Sequence, residues 1–248
     1  MKYENIFLDF DDTLYDTYGN AVIALRETFQ QCGLDRYFTR PQTFYDAYWT
    51  ANIDLWTRYS KGEISRDYLI AERFRRPMME SEKFRTESKA HAEGAQEERS
   101  QFSLDFSLRL SDIFLQHCAS KPGVIDGAHQ LMKYLRQKGY TLHICSNGFH
   151  EVQYKKLTSC GLQTYFDSII LSEDAGANKP ARRFFDYALT HSGAKPQNTV
   201  MIGDNLNTDI VGARNAGIDT ILFNRWAVEP AGIPTYTVES LYDIMKIL

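Results

Sequence analysis

A short apolar run near the start of the chain, Ile6-Phe7-Leu8 with Phe10, is separated from every other strand-like segment by roughly a hundred residues of helical pattern. A run of that make-up belongs to a parallel sheet covered on both faces, yet it has no neighbour in sequence to pair with. Its partners have to come from far downstream. The chain must therefore fold as a sheet closed around an insertion.

The insertion is helical throughout. Val22, Leu25, Phe29 and Cys32 fall at i, i+3, i+7 and i+10, which predicts an amphipathic helix stopping at Gly33. Pro41 opens a stretch, 44–59, crowded with Tyr45, Tyr48, Trp49, Trp56 and Tyr59. Residues 60–64 predict a turn, and a third helix passes through Leu69 to Phe74. Residues 80–101 hold one large apolar side chain, Phe84, among many charges, so periodicity leaves solvated helix and loop both open there. Phe102, Phe106, Leu110, Ile113 and Phe114 restore a helical stripe.

From Lys121 onward strands and helices alternate. Strands are predicted at 141–145, 168–171, 199–202 and 220–223. Between them lie a helix capped by Asp126 and stopped by Gly139, a second at 150–160, a third whose first residue is Pro180, and a fourth carrying Ile210, Val211 and Ala213. A Pro/Gly loop and a closing helix from about Glu239 finish the chain. Right-handed crossovers then give a Rossmann-like, doubly wound parallel α/β core made of 1–16 and 121–248, with an all-helical cap, 17–120, over the end of the first strand above Asp9.

Composition narrows the function classes. A formal net charge of −4 gives no electrostatic case for a nucleic acid polymer or an anionic membrane surface. Cys32, Cys118, Cys145 and Cys160 form no Cys-x-x-Cys pair and have no His at zinc-ligand spacing, so each is read as a small buried hydrophobe. No signal-peptide core or bilayer-length apolar stretch is present, and the expectation is a cytoplasmic protein.

Four strand ends carry polar chemistry. Asp9, Asp11 and Asp12 come straight off the first strand, where side chains project into the ligand crevice of an open α/β sheet. One acid there could hold a cation while another transfers protons; an acidic turn is the simpler alternative. Ser146-Asn147-Gly148 precedes a helix and suits a phosphate, or caps the helix and nothing more. Lys179 could neutralise a phosphoryl oxygen or be a solvated charge. Asp204, with Asp209 behind it, adds the carboxylate that a magnesium site with Asp9 requires, although Asp209 alone would also suit a first helical turn. Each simple alternative stands by itself. All four together at successive strand ends do not.

The ordered set Asp9-x-Asp11-x-Thr13, Ser146-Asn147, Lys179-Pro180 and Gly203-Asp204 with Asp209 resembles the four motifs of the haloacid-dehalogenase-like hydrolase superfamily, and the insertion resembles its helical-cap subgroup. Within the cap, Asn52, Leu55-Trp56, Tyr59, Gly62, Ile64 and Arg73-Phe74 are similar to the pyrimidine 5′-nucleotidase branch, as are Phe149 and Ser172-Glu173. Residues 76–101 have no counterpart in that likeness.

The resemblance implies a Mg²⁺-dependent phosphomonoesterase acting on a small molecule, above all a nucleoside 5′-monophosphate, in a monomer or weak homodimer. A phosphosugar phosphatase or mutase is the alternative on the same scaffold, and a non-enzymatic phosphate sensor a more distant one. It assigns Asp9 as nucleophile and Asp11 as general acid and base, a role that needs a raised pKa. Asp9, Asp204 and the Asp11 carbonyl would hold the metal, and Ser146, the Asn147 N–H and Lys179 the phosphoryl oxygens. Thr13 would support the loop, Asp12 face the turn, and Asp209 orient Lys179 or metal-bound water. In the cap, Tyr45, Tyr48, Trp49 and Trp56 could stack on a base and Asn52 could hydrogen-bond it.

Overall fold

The structure, a computed structural model, describes residues 2–91 and 96–248. It divides into two compact units, residues 1–20 with 119–248 and residues 21–118.

The first unit is an α/β domain. Strands β1 (Asn5–Leu8), β2 (Thr141–Ser146), β3 (Ser168–Leu171), β4 (Thr199–Gly203), β5 (Asp219–Phe223) and β6 (Tyr236–Val238) form one sheet in the order β3-β2-β1-β4-β5-β6, every pair parallel. The period-two alternation of the strands feeds two cores. Ile6, Leu8, Leu142, Ile144, Val200 and Ile202 line one face, and Phe7, Cys145, Ile170 and Met201 the other. Helices cover both faces, which is why the strands read as unbroken apolar runs. The chain winds outward from β1 through β2 to β3, then returns to the other side of β1 for β4 to β6. The crevice between the ends of β1 and β4 is the switch point at which such sheets bind ligands. Leu8 pairs with both Ile144 and Ile202, so the residues leaving β1, β2 and β4 emerge at one level.

The second unit is all-helical. In chain order the helices are α1 (Thr17–Gln31), α2 (Pro41–Ser60), α3 (Arg66–Met79), α4 (Glu82–Ala90) and α5 (Gln96–Ala119). Pro41 starts α2 at a position needing no N–H partner, and Ser65 and Ser81 cap α3 and α4 by accepting the Tyr68 and Phe84 amides. Its interior is aromatic: Phe29, Phe44, Tyr48, Phe74, Phe84, Phe106 and Phe114 form one cluster. Of the polar stretch 80–101, residues 82–90 and those from Gln96 on are helical, and Phe84 is fully buried. Residues 92–95 lie outside the described residues.

The remaining helices are α6 (Ala128–Gln137), α7 (His150–Ser159), α8 (Ser172–Ala175), α9 (Arg182–Ser192), α10 (Val211–Asn215) and α11 (Leu241–Ile247). Three local expectations are corrected. Gly127, at φ 85°, directly precedes α6, and Asp126 accepts instead from the Tyr242 hydroxyl at 3.4 Å. Pro180 lies outside α9, in a turn closed by the Ala181 N–H on the Asn178 carbonyl at 2.9 Å. The loop after β5 contains β6, and the last helix starts at Leu241 with Ser240 as its cap. Among the described residues no helix is long and apolar enough to cross a membrane.

Candidate active site

The site begins where β1 runs out. Asp9 is buried, and its N–H bonds the Ile202 carbonyl at 2.8 Å, which locks the first carboxylate against β4. The loop then turns sharply through Asp12, at φ 61°, with the amides of Leu14 and Tyr15 both returning to the Phe10 carbonyl. This turn brings the Thr13 hydroxyl to 3.1 Å from Asp9 Oδ2 and 3.1 Å from Asp204 Oδ1, while the Asp204 N–H donates to it at 3.1 Å. Thr13 has one proton to share between the two carboxylates. Asp12 points away from them and accepts the Tyr18 amide and the Arg225 guanidinium, each at 3.0 Å.

Lys179 is almost completely buried, and each of its three ammonium protons has an acceptor at 2.7 Å: Asp9 Oδ1, Asp209 Oδ1 and the Cys145 carbonyl. Its main chain is clamped by the Asn147 side chain, whose amide donates to the Lys179 carbonyl at 3.0 Å and accepts the Lys179 N–H at 2.8 Å. The Asn147 side chain therefore sets the lysine.

The charge balance is uneven. Asp9, Asp204 and Asp209 each bring a carboxylate oxygen within 4.8 Å of the others, against the single Lys179 ammonium. Burial pushes Asp9 well above its usual range; Lys179 pulls it down, and Asp209, Asp204 and Asp11 push it further up. Burial, and then Asp209, push Asp204 up to about 7. Burial works against the charge of Lys179, but Asp209 and Asp9 outweigh it and hold the lysine above its ordinary value. A surplus of buried carboxylate oxygens is what a hard divalent cation relieves, and an all-oxygen donor set suits Mg²⁺.

A family model described as haloacid dehalogenase-like hydrolase matches residues 3–217. The chain belongs to that family. The hydrolase is 32% identical over 251 residues to pyrimidine 5′-nucleotidase YjjG of Escherichia coli, covering 100% of this chain and 99% of that protein. It is 30% identical to the putative HAD-hydrolase YfnB of Bacillus subtilis, over 100% and 96% of the two chains. The solved structure of YfnB bound to magnesium superposes with a TM-score of 0.80 at 28% identity, covering 100% of this chain and 99% of that one.

Several contacts of the hydrolase site come from residues outside the sequence motifs. Asp11 leaves the Asp9 cluster and is held by α7: Lys156 donates to Oδ1 at 2.6 Å and Gln153 to Oδ2 at 2.5 Å, with Thr17 adding a bond to Oδ1 at 2.5 Å. Burial alone would raise Asp11, but the Lys156 charge and these hydrogen bonds leave it below its ordinary value. The raised acid anticipated from sequence is corrected to a held carboxylate. Gln153 also donates to Ser146 Oγ at 2.7 Å, and the Gly148 N–H does so at 3.0 Å. With both lone pairs of the serine oxygen used, its own proton is the one left to offer a ligand. A Gln-x-x-Lys spacing on the helix just after a polar strand end was the available signal. The indole of Trp226, in the β5–β6 loop, donates to Asp204 Oδ2 at 2.8 Å, a contact that nothing in its local sequence announces.

In the helical unit, Tyr48 is corrected as a stacking platform. Its ring is 1% exposed and packed by Trp49, Phe74 and Phe114, with centroids at 5.2–5.3 Å. Asn52 and Trp56 are half-buried on α2, Trp56 edge-on to Tyr59 at 5.6 Å.

Proposed function

We propose that this hydrolase is a Mg²⁺-dependent phosphomonoesterase working through an aspartyl-phosphate on Asp9, with nucleoside 5′-monophosphates as substrates. The observation that carries the reading is the Lys179 ammonium, 2.7 Å from both Asp9 and Asp209, beside Asp204 in one crevice. The nucleotide preference is supported by whole-length likeness to two pyrimidine 5′-nucleotidases, YjjG at 32% and PynA of Streptococcus pneumoniae at 29%.

Asp9 attacks phosphorus and the leaving alkoxide departs with a proton. Lys179 and the Ser146 hydroxyl, with the Asn147 N–H, neutralise and hold the phosphoryl oxygens. Asp11 as the structure holds it, ionised against Lys156, is in the form that takes a proton from the hydrolytic water. To protonate a leaving alkoxide it must first part from Lys156 and take up a proton. Asp209 holds Lys179, and Thr13 ties the Asp9 loop to Asp204. Asp9 and Asp204, with the Asp11 carbonyl, are the groups that would bind Mg²⁺, which supplies electrostatic relief between an anionic nucleophile and a dianionic substrate. Asn52 and Trp56 are the proposed contacts to the leaving group.

A phosphatase screen over nucleotides and phosphosugars, with Mg²⁺ and with chelator, tests the reading. Mg²⁺-dependent release of phosphate from pyrimidine nucleotides is expected. A second substrate class has separate support: glyceraldehyde 3-phosphate phosphatase of Methanothermobacter thermautotrophicus is 37% identical over 121 residues, spanning 46% of this chain and 54% of that one. High turnover of a sugar phosphate beside idle nucleotides would move the assignment there. Substoichiometric phosphate with an isomerised sugar would point to a mutase.

A further inference from the structure

Trp226 is an unusual neighbour for a metal-site carboxylate. It is 46% exposed in the loop after β5, yet its indole N–H is committed to Asp204 Oδ2 at 2.8 Å. The ring is held from two further sides. The Arg225 guanidinium lies 4.6 Å from its centroid and is itself tied to Asp12 at 3.0 Å and Asp16 at 3.5 Å. Tyr18 meets it edge-on at 6.1 Å and 84°. Asn224 closes the turn beneath through two hydrogen bonds to the Val228 main chain, at 2.9 and 3.0 Å. The indole is thus a fixed donor.

A carboxylate can chelate a cation through both oxygens or bind through one. Ca²⁺ accepts chelating carboxylates and high coordination numbers, whereas Mg²⁺ demands compact octahedral ligands. We infer that Trp226 is a positioning residue that disfavours chelation by Asp204: the indole proton competes with a cation for Oδ2, Oδ1 lies on the side of Thr13 and Asp9, and the site favours Mg²⁺ over Ca²⁺. The inference rests on the reading that Asp204 helps to hold Mg²⁺. Thr13, 3.1 Å from Oδ1, shares its proton with Asp9 and leaves that oxygen a lone pair for the ion.

Trp226→Phe keeps the ring and removes the donor. Calorimetric titration of the metal-free, full-length protein with Mg²⁺ and with Ca²⁺ should show the affinity ratio moving toward Ca²⁺ by about fivefold or more in the variant, the scale of one hydrogen bond. In the wild type the indole N–H proton resonance, identified by its absence in the variant, should exchange slowly with Mg²⁺ bound and faster with Ca²⁺. A ratio unchanged within about twofold, or an indole proton that exchanges freely with Mg²⁺ bound, overturns the role of Trp226 while leaving the phosphatase reading in place. Absence of Mg²⁺ binding to the wild type overturns both.

Discussion

The two units bury different things. The α/β unit takes Asp9, Lys156, Lys179, Asp204 and Asp209 out of water, all near the ends of β1, β2 and β4. The helical unit buries a network of rings, Phe29 on Phe44, Phe44 on Phe74 and Phe74 on Phe114, with centroids 5.4–6.3 Å apart. Among its described residues Arg73 is the buried charge, bonded to Ser111 at 2.7 Å and lying over Phe114. Buried rings stabilise a fold directly, by apolar area and by edge contacts. Buried charges do so weakly and cost several kcal/mol to desolvate, about as much as they return. A unit that gathers five of them at one end of a sheet is arranged for chemistry, and its neighbour is arranged for packing.

The widest separation between the two interiors should come from Asp9→Asn. It should cut turnover by at least about 10⁴-fold, because it removes the nucleophile, and a thermal melt should show the fold intact. Lys179→Met should damage both properties. Asp9 and Asp209 lose their shared ammonium, which should cost about 3–5 kcal/mol of stability, read from a denaturant midpoint, together with most of the activity. Phe74→Ala in the helical interior should also cost about 3–5 kcal/mol, but with turnover per folded molecule within about threefold of wild type. A Phe74→Ala protein that stays stable, or that stays folded and inactive, would break the division of labour.

The acidic cluster gives a pH signature that the aromatic interior lacks. In the metal-free folded chain Asp204 is raised to about 7 from an ordinary value near 3.8, and Asp9 is raised as well. Between those values the folded state keeps a proton that the unfolded state has released. The Asp204 contribution to stability is therefore lost as pH rises through that window and is level above it. Melting temperatures in chelator should fall more from about pH 5 to about pH 8 in wild type than in Asp204→Asn, and Mg²⁺ should restore stability at the upper end because it binds the ionised form. A wild-type protein with no excess loss over the variant would contradict the raised carboxylate. The smallest effect is expected from Asn52→Ala or Trp56→Ala: a rise in KM of about three- to tenfold for nucleotides, with kcat nearly kept.

The same contrast decides what could be seen in the sequence. Strands β1 to β5 announce themselves as apolar runs, and the first four lead into polar motifs, so Asp9, Ser146, Lys179, Asp204 and Asp209 stand out in the sequence. Gln153 and Lys156 do not, because such residues on a helix are ordinarily solvated; only the packing of α7 turns them onto Asp11. Strand β6 has three residues, too few for a period to show. Tyr48 reads as a platform in the sequence because spacing fixes which face of α2 a ring occupies, not what already covers it.

One measurement goes to the centre of the account: acid-quenching the enzyme during turnover of a phosphomonoester, digesting it and locating the phosphoryl group by mass spectrometry. The phosphoryl group should sit on the peptide containing Asp9, be released by hydroxylamine, and be missing from the Asp9→Asn protein. A phosphorylated residue elsewhere, or an Asp9→Asn protein that turns over at the wild-type rate, would contradict it.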